Sequence, residues 1–149
     1  MRRREGLAGL IGCAAALGCR PLPPAATDRD ATVRTVLSHA LPAMKGSQLA
    51  VTVLEVSYGP GGSSQPHSHP CPVIGYVVEG ALRMQVQGEP EATYRAGGSF
   101  YEGPNGVHLV SANASDAEPV RFLAYFTCDH DAPLSVAVPA ADVTRDRDP

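Results

Sequence analysis

Residues 61–80 read GGSSQPHSHPCPVIGYVVEG, with a glycine at each end and two histidines, His67 and His69, separated by one residue. Side chains two positions apart in a strand point to the same face, so this spacing predicts that both imidazoles share one side of a strand. Neutral imidazole is the commonest protein ligand of metal ions. The stretch therefore predicts a metal site beside a glycine-rich turn, with His108 as the third candidate ligand.

The composition predicts a single all-β domain. The chain has 149 residues, 44% of them hydrophobic, and its 15 Gly and 14 Pro interrupt it at short intervals. Such a chain is long enough for one core, and no long stretch combines helical periodicity with helix caps. The net charge is −3, and the one basic cluster is Arg2, Arg3 and Arg4. This charge pattern excludes a nucleic-acid partner.

Short apolar or alternating segments predict seven or eight strands. They lie at residues 49–58, 73–78, 82–87, 93–95, 99–101, 107–111 and 120–127. The intervening Glu79-Gly80 turn predicts that residues 73–78 and 82–87 pair as a β-hairpin. Short strands at this spacing form a sandwich or barrel, which avoids exposed sheet edges.

The spacing within residues 61–80 resembles the first motif of the cupins, in which a glycine, two histidines, a glutamate and a final glycine have fixed separations. Gly61, His67, His69 and Gly80 match that motif. The position of the glutamate, counted from either side, falls on Val73. The first motif is thus similar to that of the cupins in every fixed residue except the carboxylate.

Residues 97–113 resemble the second cupin motif, which ends with the third metal-binding histidine at His108. The proline and glycine of that motif stand one position later here, at Pro104 and Gly106, and Asn105 takes the place of the glycine. Asparagine tolerates the left-handed conformation that glycine supplies, so a related turn is expected. The asparagine of the motif is also one position late, at Asn113.

The resemblance covers residues 49 to about 127 and implies a cupin-type jelly roll, or double-stranded β-helix barrel. It implies a divalent metal ion held by His67, His69 and His108. With Val73 in place of the glutamate, the expected centre has three histidines and few carboxylates. Three imidazoles do not select among Fe, Mn, Ni and Zn. An inherited, metal-free histidine set is the alternative.

Glu102 is the candidate catalytic residue, because it lies six residues before His108 and just ahead of the displaced turn. From there its carboxylate could be a fourth metal ligand, a hydrogen-bond acceptor behind a ligand, or a general base. The alternative places Glu102 on the solvent side of the barrel rim, because the displaced turn leaves the strand parity open.

Four further residues have predicted positions. Cys71, which stands between two prolines, is expected to be a buried or disulfide-bonded cysteine, with a soft metal ligand or a redox-sensitive thiol as alternatives. Pairing with Cys128 depends on the separation of their Cα atoms. His39 and His130 have no place in either motif and are expected at the surface.

The N-terminal residues have the pattern of a secretory signal: three arginines followed by an apolar run over residues 6–18. Residues 15–19, AALGC, resemble a bacterial lipobox, which predicts a signal peptide over residues 1–19 and a lipid anchor at Cys19. A lipobox ending at Cys13 and ordinary cleavage near Ala25-Ala26 are alternatives. The expected location is periplasmic or membrane-anchored. An uncleaved helix on a cytoplasmic protein remains the other alternative.

The rest of the chain divides into three parts. Residues 20–33, rich in proline and polar residues, are expected to be a tether, and residues 34–140 a single cupin domain. Residues 141–149 are charged, without apolar periodicity, and are expected to be a flexible tail.

Two classes of function are consistent with these features. One is a dioxygenase-like metalloenzyme acting on a small organic compound. The other is a non-catalytic cupin that binds a small ligand or a metal ion. A shared fold does not choose between them, so enzymatic activity stays open. The resemblance also implies a homodimer.

Overall fold

The computed structural model describes residues 32–44, 46, 48–129, 131–139 and 143. Nine strands are present in the described residues, and all of them lie within the compact unit Arg34–Pro149. The strands are β1 (Leu49–Tyr58), β2 (His67–Ser68), β3 (Val73–Glu79), β4 (Ala81–Val86), β5 (Ala92–Arg95), β6 (Ser99–Glu102), β7 (Val107–Asn113), β8 (Val120–Asp129) and β9 (Val136–Ala137). The seven predicted strands are confirmed, and β2 and β9 are additional.

The strands form two antiparallel sheets. One sheet has the order β1-β8-β3-β6 and the other the order β5-β4-β7-β2-β9. Alternate residues of β3 and β4 point into the core: Val73 and Val77 from β3, and Leu82 and Met84 from β4, are all buried. This alternation buries one face of each sheet against the other. The prediction of an all-β, cupin-type jelly roll is confirmed.

The predicted hairpin between residues 73–78 and 82–87 is wrong. β3 pairs with β6 and β8, whereas β4 pairs with β5 and β7, so the two strands lie in different sheets. The chain changes sheet at Gly80, whose φ of 74° lies in the left-handed region that favours glycine. Because each strand has its own inward-facing alternation, the same pattern fits a hairpin and a corner between sheets.

The segment before β1 runs along the edge strand β6. The Ser99 hydroxyl donates a 2.9 Å hydrogen bond to the Val36 carbonyl, and the Arg34 guanidinium donates one of 3.3 Å to the Gly97 carbonyl. His39 is exposed, as predicted, and its ring stacks on Tyr101 with centroids 3.6 Å apart. These contacts cover part of an otherwise open sheet edge.

Several predictions fall outside the described residues. They concern the signal peptide and lipid anchor over residues 1–19, the tether up to residue 31, His130, and the tail over 141–149 apart from residue 143. Within the described ranges, no helix has the length and apolar character needed to cross a membrane.

The close contact between Gly75 of β3 and the ring of Phe100 on β6 gives a stability prediction. A Cβ atom added at Gly75 would overlap the ring of Phe100, which is itself buried. We expect Gly75→Ala to lower the free energy of unfolding by about 3 kcal/mol, measured by chemical denaturation. Gly59→Ala is the matched control, because its Cβ would have no neighbouring heavy atom within 4 Å. Equal effects of the two substitutions would contradict the packing described here.

Candidate metal centre

The short strand β2 brings two histidines together across the sheet. His67 of β2 is the direct register partner of His108 of β7. Directly opposed side chains in an antiparallel pair lie on the same face, and the two rings are 5.0 Å apart between centroids. Pro66 and Pro70 flank this region, and proline cannot donate to a strand ladder, which explains why β2 has only two residues.

His69 follows β2 directly, and its ring closes the cluster. Its centroid lies 4.8 Å from that of His67 and 5.4 Å from that of His108. The neighbouring turn supports the backbone at His69, because the backbone N–H of Asn105 donates a 2.6 Å hydrogen bond to the His69 carbonyl. Asn105 has a φ of 63°, so the expected left-handed turn is confirmed. The structure thus brings the three predicted histidines together.

Two of the histidines have a fixed ring orientation. The Nδ1–H of His69 donates to the Leu134 carbonyl at 2.5 Å, and the Nδ1–H of His67 donates to the Gln65 carbonyl at 2.8 Å. A carbonyl oxygen only accepts, so the hydrogen resides on Nδ1 in both rings. In its neutral form each ring therefore presents an unprotonated Nε2, the arrangement usual for a metal-binding histidine.

Glu102 lies inside the barrel. It is the last residue of β6, its side chain is 6% exposed, and its Oε2 lies 2.7 Å from His108 Nε2 and 3.6 Å from His69 Nε2. The alternative that placed Glu102 on the solvent side is wrong. The expected carboxylate-poor character is also corrected, because one carboxylate touches two of the three histidines.

The register of the sheet explains how Glu102 reaches the histidines. β3 and β6 are antiparallel, and Val73 is the direct partner of Glu102. Directly opposed side chains point to the same face of a sheet. Glu102 therefore brings a carboxylate from β6 to the side of the barrel where the cupin glutamate would project from position 73 of β3.

The polar atoms of this cluster fit a divalent metal ion. Among the described residues, Glu102 Oε2 and both ring nitrogens of His108 are buried without a hydrogen-bond partner. The short contact between Glu102 and His108 therefore lacks the alignment of a hydrogen bond, although buried polar groups are nearly always paired. One ligand atom each from His69, Glu102 and His108 lies within 4.8 Å of the others. Two imidazoles and a carboxylate are a donor set suited to Zn, Fe, Mn or Ni.

His67 lies at the edge of this group. Its ring is half-buried, whereas His69 and His108 are buried, and the group of three within 4.8 Å does not include it. The structure therefore places three candidate ligands, His69, Glu102 and His108, in one buried group. The fourth candidate, His67, lies beside this group in the cavity wall.

Burial keeps His69 in the form that binds metal. Desolvation lowers the pKa of His69 below its ordinary value of 6.5, and this outweighs the opposing effects of the Leu134 carbonyl and the Glu102 carboxylate. A lowered pKa means that the imidazole is neutral near pH 7. Only a neutral imidazole offers a lone pair to a metal ion.

The cluster lies in the wall of a cavity of about 180 Å³ between the two sheets. Most of the lining is apolar and comes from both sheets, including Leu54, Val56, Met84, Phe122 and Phe126. Tyr58, His67 and Ser135 line both this cavity and a neighbouring surface groove. A small molecule can therefore reach the histidines while apolar side chains surround it.

A disulfide lies beside the cluster. Cys71 and Cys128 are bonded, with Cα atoms 5.2 Å apart, and both are buried. The prediction of a buried or paired Cys71 is confirmed, and the alternatives of a soft metal ligand and a free thiol are wrong. The bond connects the segment after His69 to the end of β8. It thereby joins this segment to the sheet that contains β8, close to a candidate ligand.

Removal of this disulfide gives a second stability prediction. We expect the double variant Cys71→Ser/Cys128→Ser to lose about 3 kcal/mol of unfolding free energy, because the unfolded chain is no longer restrained. Thermal denaturation with and without reductant measures the effect, and reductant should no longer change the double variant. An unchanged melting temperature for wild type in reductant would argue against the bond.

The sequence reasoning missed the contribution of the segment after β8. Its Leu134 carbonyl orients His69, the side chains of Leu134 and Ser135 line the cavity, and β9 pairs with β2. The one available signal is the alternation of apolar and small residues over 134–138. Such a short stretch gives no indication of its partner strand.

The fold and the cluster together define a small jelly roll with a buried histidine–carboxylate group. Residues 54–126 match the family model described as a cupin domain. This segment is therefore a cupin domain. No curated protein matches it in sequence.

Solved structures with this fold include a cupin-like protein from Thermotoga maritima, with 24% identity and a TM-score of 0.52 over 59% of this chain. A variant of Bacillus subtilis oxalate decarboxylase has 26% identity and a TM-score of 0.52 over 62% of this chain. A DMSP lyase from Ruegeria pomeroyi has 18% identity and a TM-score of 0.50 over 62% of this chain. This chain covers 64%, 27% and 44% of those chains, respectively, which is less than two thirds of each.

Proposed function

We propose that this protein is a metal-dependent enzyme, dioxygenase-like in its chemistry, that acts on a small organic compound. The observation that carries the proposal is the group of His69, Glu102 and His108, buried in the wall of an apolar cavity. Buried, unpaired polar atoms in a cavity are typical of functional sites rather than of structural cores. Two of the similar structures are named as enzymes, a decarboxylase and a lyase, which supports a catalytic use of the fold.

The residues that would hold the ion are His67, His69, His108 and Glu102. When bound there, a divalent ion supplies Lewis acidity, which stabilises negative charge on a substrate oxygen such as that of an enolate or catecholate. The Leu134 and Gln65 carbonyls hold two of the imidazoles in place, which lowers the reorganisation needed for binding.

Glu102 also supplies a proton acceptor at the site. Its carboxylate is buried next to His108 and lines the cavity, so a bound molecule lies within its reach. A carboxylate oxygen that is not engaged by the ion can take a proton from a substrate hydroxyl or an acidic C–H group. Glu102 would then act both in holding the ion and in preparing the substrate.

The experiment that tests this function compares metal retention with turnover. Purified protein is loaded anaerobically with Fe(II), Mn(II), Ni(II) or Zn(II) and given oxygen with a panel of catechols and β-diketones. We expect retention of one ion per chain and oxygen consumption with at least one metal. Retention of the ion and a ligand without turnover would instead favour a non-catalytic binding cupin. Unchanged metal content after His67→Ala and His108→Ala would contradict the site.

We further propose that the protein is exported and anchored by a lipid at Cys19. The support is the N-terminal signal pattern together with the Cys71–Cys128 disulfide, because such bonds persist in oxidising compartments. Labelling of cells with palmitate, followed by fractionation, tests the proposal. We expect a labelled membrane-associated protein for wild type and no label for Cys19→Ala. Labelling that persists in this variant would contradict the assignment of the anchor to Cys19.

A homodimer is proposed for the domain. Its support is the edge strand β1, whose outward-facing Val51 and Val53 are 68% and 48% exposed. Exposed apolar edge strands are unfavourable in a monomer. Sedimentation equilibrium should give twice the chain mass, and a single-chain mass at micromolar concentration would contradict the proposal.

A further inference from the structure

The cavity beside the histidines carries little charge. Among the described residues that line it, none is Lys or Arg, and Glu102 is the one carboxylate. If a divalent ion binds as proposed, its two positive charges and the carboxylate leave a single net positive charge. A ligand with one negative charge neutralises it. A dianion leaves one negative charge buried against apolar side chains, which is costly without a cationic partner.

The wall of the cavity also contains a pair of hydroxyl groups. Tyr58 Oη and Ser111 Oγ lie 3.2 Å apart, and both residues line the cavity. Two hydroxyl groups carry two O–H donors, and the bond between them uses only one. Within the described residues, neither side chain has another hydrogen-bond partner. The pair therefore has one O–H group left to donate into a cavity whose lining is mostly apolar.

We propose that the cavity binds a compact organic molecule with at most one negative charge. One oxygen-bearing end faces the histidine–Glu102 group, and a second oxygen accepts a hydrogen bond from the Tyr58–Ser111 pair. This inference rests on the proposed function and specifies its substrate class. It excludes oxalate-like dianions as preferred ligands.

The size of the cavity limits the molecule further. An apolar cavity of about 150 Å³ is known to accommodate benzene. The cavity here, at about 180 Å³, therefore suits a molecule of roughly one ring or a short branched chain. The aromatic and aliphatic side chains around it, such as Phe122 and Leu54, favour an apolar body between the two oxygen-bearing ends.

Calorimetry on the metal-loaded protein tests the inference without an activity assay. The probes are oxalate, acetylacetone and methyl acetoacetate. The last two are singly charged as enolates, and methyl acetoacetate has one additional oxygen. We expect acetylacetone to bind at least about 10-fold more tightly than oxalate. The double variant Tyr58→Phe/Ser111→Ala should weaken methyl acetoacetate about 10-fold relative to acetylacetone, because it removes both hydroxyl groups and with them the hydrogen bond to the ligand.

The single variants Tyr58→Phe and Ser111→Ala each keep one O–H group, so each should weaken methyl acetoacetate less than the double variant does. Tyr94→Phe is the matched control. Tyr94 packs against Phe100, with ring centroids 5.2 Å apart, and does not line this cavity. It should leave the affinities for all three probes unchanged.

Metal content, measured for each variant, keeps the two claims separate. Retained metal with oxalate bound as tightly as acetylacetone overturns the inference and leaves the proposed function standing. So does retained metal with an unchanged ratio of the two enolate affinities in the double variant Tyr58→Phe/Ser111→Ala. A wild-type protein that retains no metal overturns the proposed function and this inference together.

Discussion

Glu102→Gln is expected to lower the affinity for a divalent ion by about 100-fold or more, because it removes the one carboxylate from the buried group. The amide has nearly the same shape, so the loss reflects charge and not packing. Competition with a chelator of known affinity measures the change. We expect the metal-free variant to be at least as stable as metal-free wild type, because a neutral amide replaces a buried carboxylate whose Oε2 has no hydrogen-bond partner.

The cross-strand register offers a sharper control for Glu102. Val73 is its direct partner and is 1% exposed. The double variant Val73→Glu/Glu102→Val moves the carboxylate from β6 to β3 while it keeps one glutamate and one valine at the site. We expect this exchange to recover part of the affinity that Glu102→Val alone loses. If the exchange recovers no metal affinity, the carboxylate acts only from β6. Full metal affinity in Glu102→Gln would contradict the role of Glu102 in binding.

His108→Ala is expected to have the largest effect on metal binding, with a loss of about 1,000-fold or more, beyond the 10–100-fold typical of residues behind the ligands. His108 is 3% exposed, and its Nε2 makes the shortest contact with Glu102. Its removal leaves the carboxylate without its nearest partner. Metal content after dialysis against a weak chelator gives the measurement, and turnover should disappear in parallel.

His39→Ala is the matched control for His108→Ala. His39 is exposed and stacks on Tyr101 outside the barrel. Its replacement should change neither metal content nor turnover. If the two variants lose metal equally, the ion binds nonspecifically to surface imidazoles, and the buried group is not the site.

Local patterns were sufficient to predict most of the fold and the three histidines. β1 was predicted with its observed bounds, Leu49–Tyr58, because β-branched residues end there at a glycine-proline turn. The closeness of His67 and His69 could be predicted from their spacing alone, because side chains two positions apart in a strand point to the same face. His108 required the spacing of a second motif, and the left-handed Asn105 kept that turn intact despite its displacement by one residue.

Features that depend on distant pairing could not be predicted from the sequence. The inward position of Glu102 results from its register with Val73, which lies on another strand. The hairpin prediction failed because Gly80 turns the chain between sheets instead of within one. Leu134 reaches His69 across 65 residues of sequence through a backbone carbonyl, and a backbone group has no signature in the residue type.

Anomalous diffraction at the absorption edge of the retained metal, on crystals of the protein as purified, would locate the ion itself. We expect one peak per chain, about 2.0–2.2 Å from nitrogens of His69 and His108 and from an oxygen of Glu102. His67, in the cavity wall, should be the fourth ligand of the ion. A peak elsewhere, or an ion held by the histidines with the Glu102 carboxylate turned away, would contradict this expectation.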